Sequence, residues 1–251
     1  MLGIIPLLTA SLAWSGAVAD AVHASWELRS NRLATEAPTI PDWAYDHAEE
    51  GKVAAGLSVE EHQPVAKAWG VAIFDLPIEA VWMAVNDEEA FPTVSKVTVS
   101  QVIEGDRRRT GRLVFGYMPI SVPFVKDRWW MVSVRHNGEM YAASGGVLWE
   151  KAWTDATDRS RLDGKSVATY ADAGQSLGFS HGSWLLHRLD DDRTLAEYFV
   201  WTDIGGSLPS GPISRFAKGA VRHQVVAIRC LAEQRQGDSR DAWLRPDQQP
   251  L

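Results

Sequence analysis

The longest regular pattern in the chain lies near its C-terminal end. Ile213, Phe216, Ala217, Ala220, Val221, Val225, Ile228, Leu231 and Ala232 recur at three- and four-residue steps, which places them on one face of a single α-helix. Arg215, Lys218, Arg222 and Arg229 fall elsewhere on the same wheel. The approach to this helix, Asp203-Ile204-Gly205-Gly206-Ser207-Leu208-Pro209, carries two glycines and a proline that interrupt regular structure. A helix with one continuous apolar stripe needs a broad apolar partner, and the upstream pattern supplies a set of strands.

Residues 42–49 read as a short helix capped by Asp42 and stopped by Gly51, followed by strands over 52–59 and 65–74. Leu76-Pro77 opens a second helix, with Ile78, Val81, Trp82 and Val85 on one buried face and Phe91-Pro92 closing it. Strands are expected over 94–103 and 112–117, joined by a polar loop that carries Arg107, Arg108 and Arg109. Segments 128–135 and 139–143 flank Asn137-Gly138, a pair that favours a hairpin turn. Strands over 147–154, 166–170, 183–189 and 194–202 follow, the last two linked by Asp190-Asp191-Asp192-Arg193. The polar tail after the long helix is expected to fray. This order predicts an α+β fold, a curved antiparallel sheet gripping the long C-terminal helix around an internal hydrophobic cavity.

Composition narrows the function. The net charge of -7 disfavours nucleic acid, which requires a basic face, and strong binding to anionic membranes. Twelve tryptophans fit either strand packing or an aromatic-lined cavity. The single cysteine, Cys230, rules out an intrachain disulfide and reads as a small core residue of the last helix. No spacing of Cys, His or acidic residues suggests a metal, and no cofactor motif is present. Residues 1–19 are uncharged, with an apolar run before Ala17-Val18-Ala19. That is the pattern of a signal peptide lacking a basic n-region, so export to the periplasm or medium is expected, with cleavage before Asp20 or Ser25. Membrane attachment through this segment, or a cytoplasmic protein with a misassigned start, is the alternative. The expected organisation is a signal peptide over 1–19, a linker over 20–40, one domain over 41–235 and a tail over 236–251.

Several segments together resemble the START lipid-transfer domain family of the helix-grip superfamily. Thr202-Asp203-Ile204-Gly205-Gly206-Ser207-Leu208-Pro209, with Phe216-Ala217-Lys218 beyond it, is similar to the Asp-Pro-Gly-Gly-x-[Leu/Ile]-Pro segment and helix that close many such domains, with Ile204 in place of the proline. Trp43 with Gly51-Lys52-Val53 looks like the family's opening, and Asp75 to Trp82 like its strand-to-helix step. Lys126-Asp127-Arg128-Trp129-Trp130 looks like its Arg/Asp-aromatic strand. The resemblance covers about residues 41–233. It implies a non-enzymatic pocket for one hydrophobic molecule: a sterol, phospholipid, sphingolipid, quinone or fatty acyl lipid. Cyclases and hydrolases share the fold, so an enzyme of that type is the alternative function. A third reading is an interaction module whose cavity its own tryptophans fill.

No acid–base set is united by spacing. Asp127, His136, His181 and His187 are scattered, and His136, beside the expected hairpin, reads as exposed. Strand alternation puts Arg128 and Trp130 on one face and Arg135 on the other. A buried arginine must meet a carboxylate or a ligand head group. Arg128, Trp130, Arg135, Trp149, Trp201 and Phe216 are therefore the candidate ligand-binding residues. The apolar loop broken by Pro119 and Pro123, with Ile120 and Phe124, and the pivot Gly205-Gly206 are the candidate gate, and the loop is expected to touch a membrane transiently.

Overall fold

The computed structural model describes residues 16–60, 65–121, 123–205 and 210–251, the side chains of 210–216 excepted. Residues 1–15 of the expected signal peptide, Gly206 to Pro209 before α8, and the side chains of Ile213 and Phe216 lie outside what is described. The N-terminal part holds helices α1 (Ala17–Ala24), α2 (Trp26–Arg29) and α3 (Asp42–Glu49), then strands β1 (Ala54–Ser58) and β2 (Lys67–Phe74). Helix α4 (Ile78–Val85), a 3-10 turn and α5 (Phe91–Val94) lead to β3 (Val99–Glu104), β4 (Arg112–Met118) and β5 (Arg128–His136). Then come α6 (Gly138–Ala143), β6 (Leu148–Asp155), α7 (Ala168–Ala173), β7 (Gln175–Ser176), β8 (Phe179–Arg188), β9 (Thr194–Asp203) and α8 (Ser210–Arg235). The strands form one curved sheet in the order β1-β2-β9-β8-β6-β5-β4-β3, antiparallel throughout, with β7 added in parallel to the start of β5.

Directly opposed residues share a face of a sheet. Gly70, Tyr198, Trp184, Lys151 and His136 oppose one another in series across β2, β9, β8, β6 and β5. This is the inner face, because a Cβ at Gly70 would lie 2.7 Å from Val221 of α8. Val221, Val225, Ile228 and Leu231 of α8 are all buried. At roughly 1.5–3 kcal/mol each, their gross burial is worth about 6–12 kcal/mol before ordering entropy. Cys230 falls off this stripe and is exposed, contrary to its expected core position.

Three tryptophans have a common local cause. Trp69 opposes Gly56, Trp130 opposes Gly116, and Trp153 opposes Gly182. In each pair a Cβ on the glycine would collide with the indole. The missing side chain lets the ring fold down across the neighbouring strand.

Several expected elements differ. Asp42 is the first residue of α3, whose cap is Pro41, and no side chain caps it. Phe91-Pro92 does not end helical structure. Proline is tolerated in a first turn, and α5 starts there, so β3 begins only at Val99. Asn137-Gly138 forms no hairpin: the Asn137 side chain accepts from Met140 N (3.0 Å) and caps α6 where a strand was expected. Residues 166–170 enter α7, which lies over the outer face of β4 and β5 with Ala171 against a cluster containing Trp129 and Met131.

The segments on either side of the core are both fastened. Residues 29–34, within the expected linker, are strapped to the outer face by two buried carboxylates. Glu197 accepts from Arg29 (2.6 Å) and Tyr45 (3.2 Å), and Glu150 from Leu33 N (2.7 Å), Ala34 N (3.2 Å) and Asn137 (2.8 Å). The tail does not fray. Trp243 is buried, Leu244 O accepts the Trp82 indole N–H at 2.7 Å, and Leu251 packs on the main core. Polarity misled here, because one tryptophan and a few backbone bonds suffice to dock the segment.

Replacing Gly182 with alanine drives a Cβ against the Trp153 ring and the Phe199 carbonyl. The expected loss is about 1–3 kcal/mol, read as a lower urea midpoint at unchanged slope. A variant as stable as the parent would show that the indole does not lie across Gly182.

Candidate functional site

The inner face divides into a charged end under α4, an aromatic middle and a polar end beside the loop before α8. At the charged end, Glu88 takes Arg112 Nε at 3.1 Å, Arg112 Nη2 and Lys151 Nζ at 2.7 Å on the same oxygen, Oε1. Its other oxygen has no partner among the described residues. Arg112 is fully buried and also donates to Asn86 Oδ1 (2.8 Å) and the Arg109 carbonyl (2.6 Å). Lys151 donates in addition to the Val85 carbonyl.

His136 completes this end, and it is buried, not exposed as expected. Its Nε2 lies 2.8 Å from Asn86 Oδ1 and 3.2 Å from Arg112 Nη1, and Gln248 of the tail reaches Nδ1 at 3.1 Å. Burial, then Arg112 and Lys151, lower its pKa to about 2, so the imidazole is neutral. Burial lowers Lys151 to about 8, opposed by Glu88. For Glu88 burial pushes upward, but Lys151 and Arg112 outweigh it and hold the carboxyl ionised.

In the middle, Trp130, Trp153 and Tyr198 keep some accessible surface although they face the interior, and Trp184 is buried beside them. Trp149 is on the same face but sealed in, packed edge-on against Trp82 and Tyr141 with its indole N–H on the Gly146 carbonyl (2.8 Å). At the polar end Arg128 is buried and donates to the carbonyls of Ile204 (2.6 Å), Gly205 (3.2 Å) and Lys126. It thus ties β5 to the segment leading into α8, at a glycine with φ +68°. Ser180 and Thr202 hydroxyls meet at 3.2 Å nearby.

The structure brings together Arg128 and Trp130 of the sequence-predicted residues, with Trp149 apart at the charged end. Arg135 and Trp201 lie on the outer face, Arg135 exposed. Trp201 packs there on Phe179 and donates to the Val65 carbonyl. In the gate loop Asp127 accepts from Tyr117 and from Ile120 N (2.9 Å). Ile120 is half-buried, while Phe124 projects fully into solvent at φ +65°. Sequence reasoning missed Tyr198, Trp153 and Trp184; opposed glycines were the available signal, but they reveal ring placement only once the register is known. A separate surface cleft of about 540 Å³ lies between the end of α8 and the tail, lined by charged side chains already paired, such as Arg107 with Glu89 and Arg235 with Asp87. Among the described residues, no cluster could hold a metal ion and no helix is long and apolar enough to cross a membrane.

The buried histidines set an acid limit. Burial and Arg29 lower His187 to about 4, as burial and the two cations lower His136 to about 2, both from 6.5. Between those values and 6.5 the unfolded chain binds more protons. Stability therefore falls as pH drops below about 6.5, by up to about 1.4 kcal/mol per pH unit for each imidazole. Glu88 and Glu197, both lowered, add to the loss below about pH 4.5. Urea midpoints measured from pH 7.5 to 5 should decline; a flat profile would mean that neither histidine is buried neutral.

By sequence, no family model matches the chain and a search of curated proteins finds no match. The solved structures do. A STAR-related lipid transfer protein fragment from Xanthomonas axonopodis superposes with a TM-score of 0.59 at 17% identity, over 74% of this chain and 95% of that one. Human StAR-related lipid transfer protein 5 gives 0.59 at 15% identity, over 86% and 95%. Human STARD10 gives 0.56 at 14%, over 80% and 84%. The chain has the START-type helix-grip fold.

Proposed function

We propose that this protein binds one hydrophobic molecule between the sheet and α8 and carries or senses it without chemical conversion. The observation that carries this reading is the aromatic inner face, where Trp130, Trp153 and Tyr198 are only partly buried on the face of the sheet that α8 packs against. It agrees with the fold shared with proteins described as lipid transfer proteins. The alternative, a cyclase- or hydrolase-type enzyme, would draw on the Glu88, Arg112, Lys151 and His136 cluster. That cluster serves it poorly. An imidazole that protonates only near pH 2 cannot exchange protons with substrate at neutral pH, and Arg112 is committed to Glu88, Asn86 and a carbonyl.

Uptake requires an opening. The segment at Gly205 is held by Arg128, so the loop bearing Phe124 is the cheaper part to move. Phe124 then meets the membrane surface during exchange. Export remains part of the proposal, with the mature chain starting near Asp20 or Ser25. Asp20 lies within α1, which buries Val18, Ala19 and Val22, and Ser25 follows its last residue, so N-terminal sequencing decides where, and whether, the chain is cut.

Native mass spectrometry of the purified protein should show a hydrophobic adduct, one per chain, that organic solvent removes. Adduct-free protein that also takes up no lipid from vesicles would overturn the reading. Phe124→Ser should leave the urea midpoint unchanged and weaken association with neutral vesicles by about ten- to a hundredfold, since burying a phenylalanine is worth roughly 1.5–3 kcal/mol. Unchanged association would place membrane contact elsewhere.

A further inference from the structure

Resting on the reading that the interior takes a hydrophobic ligand, we propose that the site selects a planar, conjugated ring system bearing a neutral oxygen acceptor, with Tyr198 as the residue that recognises the oxygen. Three observations converge on this class.

The first is the shape of the floor. Trp153 lies across Gly182 and reaches Tyr198, with centroids 6.0 Å apart and planes inclined by 28°. Trp184 lies 4.6 Å from Tyr198 on its other flank, at 37°. Trp130 lies down over Gly116 in the same way. Side chains on a sheet normally stand away from it. Here glycines let rings lie down, so the interior meets broad aromatic faces instead of a lattice of methyl groups. A rigid planar ligand covers such a face with many dispersion contacts and loses few rotamers, whereas an acyl chain must freeze torsions to do the same.

The second is the absence of spare charge among the described inner-face residues. Arg128 is spent on backbone carbonyls, Arg112 and Lys151 are both paired with Glu88, and Arg135 is on the outer side. A phosphate or carboxylate head group would be desolvated there with no free cation to meet it.

The third is Tyr198 itself. Its hydroxyl makes no hydrogen bond to a described residue, and burial alone drives its pKa far above that of a free phenol. It stays protonated at any physiological pH, a donor with no acceptor among the described residues. A carbonyl oxygen on the ligand supplies one.

Equilibrium dialysis of the purified full-length protein distinguishes the possibilities with three probes: menadione, a naphthoquinone; methylnaphthalene, the same ring system without oxygen; and palmitic acid. Menadione is expected to bind saturably and more tightly than palmitate. Tyr198→Phe should weaken menadione by about three- to tenfold, the worth of one neutral hydrogen bond, while methylnaphthalene changes less than twofold. Saturable palmitate binding with none for menadione would overturn the ring class and leave the hydrophobic-ligand reading standing. No saturable binding of any probe would count against both. Equal losses for menadione and methylnaphthalene in Tyr198→Phe would remove the hydroxyl from recognition.

Discussion

The close approach of α8 to β2 is the constraint on which the remaining architecture depends. At Gly70 a methyl group would sit 2.7 Å from Val221 and 3.1 Å from Val225, so only a strand without a side chain there lets the helix seat. Seating it buries the α8 stripe against Phe74, Ala72 and α4 in one cluster, which fixes the end of the helix nearer the tail. With that end fixed over β2, the faces of β5, β6, β8 and β9 turned toward the interior keep part of their surface, and this is the surface that can hold a ligand. A firm seat at one end of the helix goes with partly buried Trp130, Trp153 and Tyr198 on the same face of the sheet.

Buried charge serves this arrangement from both sides of the sheet. On the inner face Glu88 draws Arg112 and Lys151 together, joining the 3-10 turn after α4 to β4 and β6. On the outer face Glu197 and Glu150 fasten the N-terminal segment across β9, β8 and β6. Each carboxylate meets several donors, as burial of an ion demands, although those of Glu88 converge on Oε1 alone. Replacing such pairs with apolar side chains need not weaken a fold, so their value lies in position: they fix which segments cover which face. His136, whose proton affinity burial and the two neighbouring cations depress, is held neutral within this cluster.

Helix α8, the strand-rich middle and the strand-to-helix step at Asp75 to Trp82 were legible because each rests on a local period or a local breaker. What was not legible depended on register or on distant partners. Asn137-Gly138 carries the strongest hairpin signal in the chain, yet Asn137 is drawn into capping α6 and donating to Glu150. His136 reads as a turn-side residue until the sheet places it opposite Lys151. Arg128 invites a ligand head group in one dimension; in three its partners are carbonyls of a segment more than seventy residues away in the chain. The tail is polar by composition, but Trp243 and the carbonyl of Leu244 decide its fate. Tyr198, Trp153 and Trp184 looked like ordinary strand aromatics, because a glycine on one strand says nothing about a tryptophan on another until the two are paired.

The central claim is that the space between α8 and the sheet holds a hydrophobic molecule that rests on the aromatic floor. A crystal structure of the protein as purified, without added ligand, tests it most directly. The account predicts continuous non-protein density against Trp153 and Tyr198, extending toward Gly205. Side chains of α8 packed directly onto those rings, with no space between them, would contradict it.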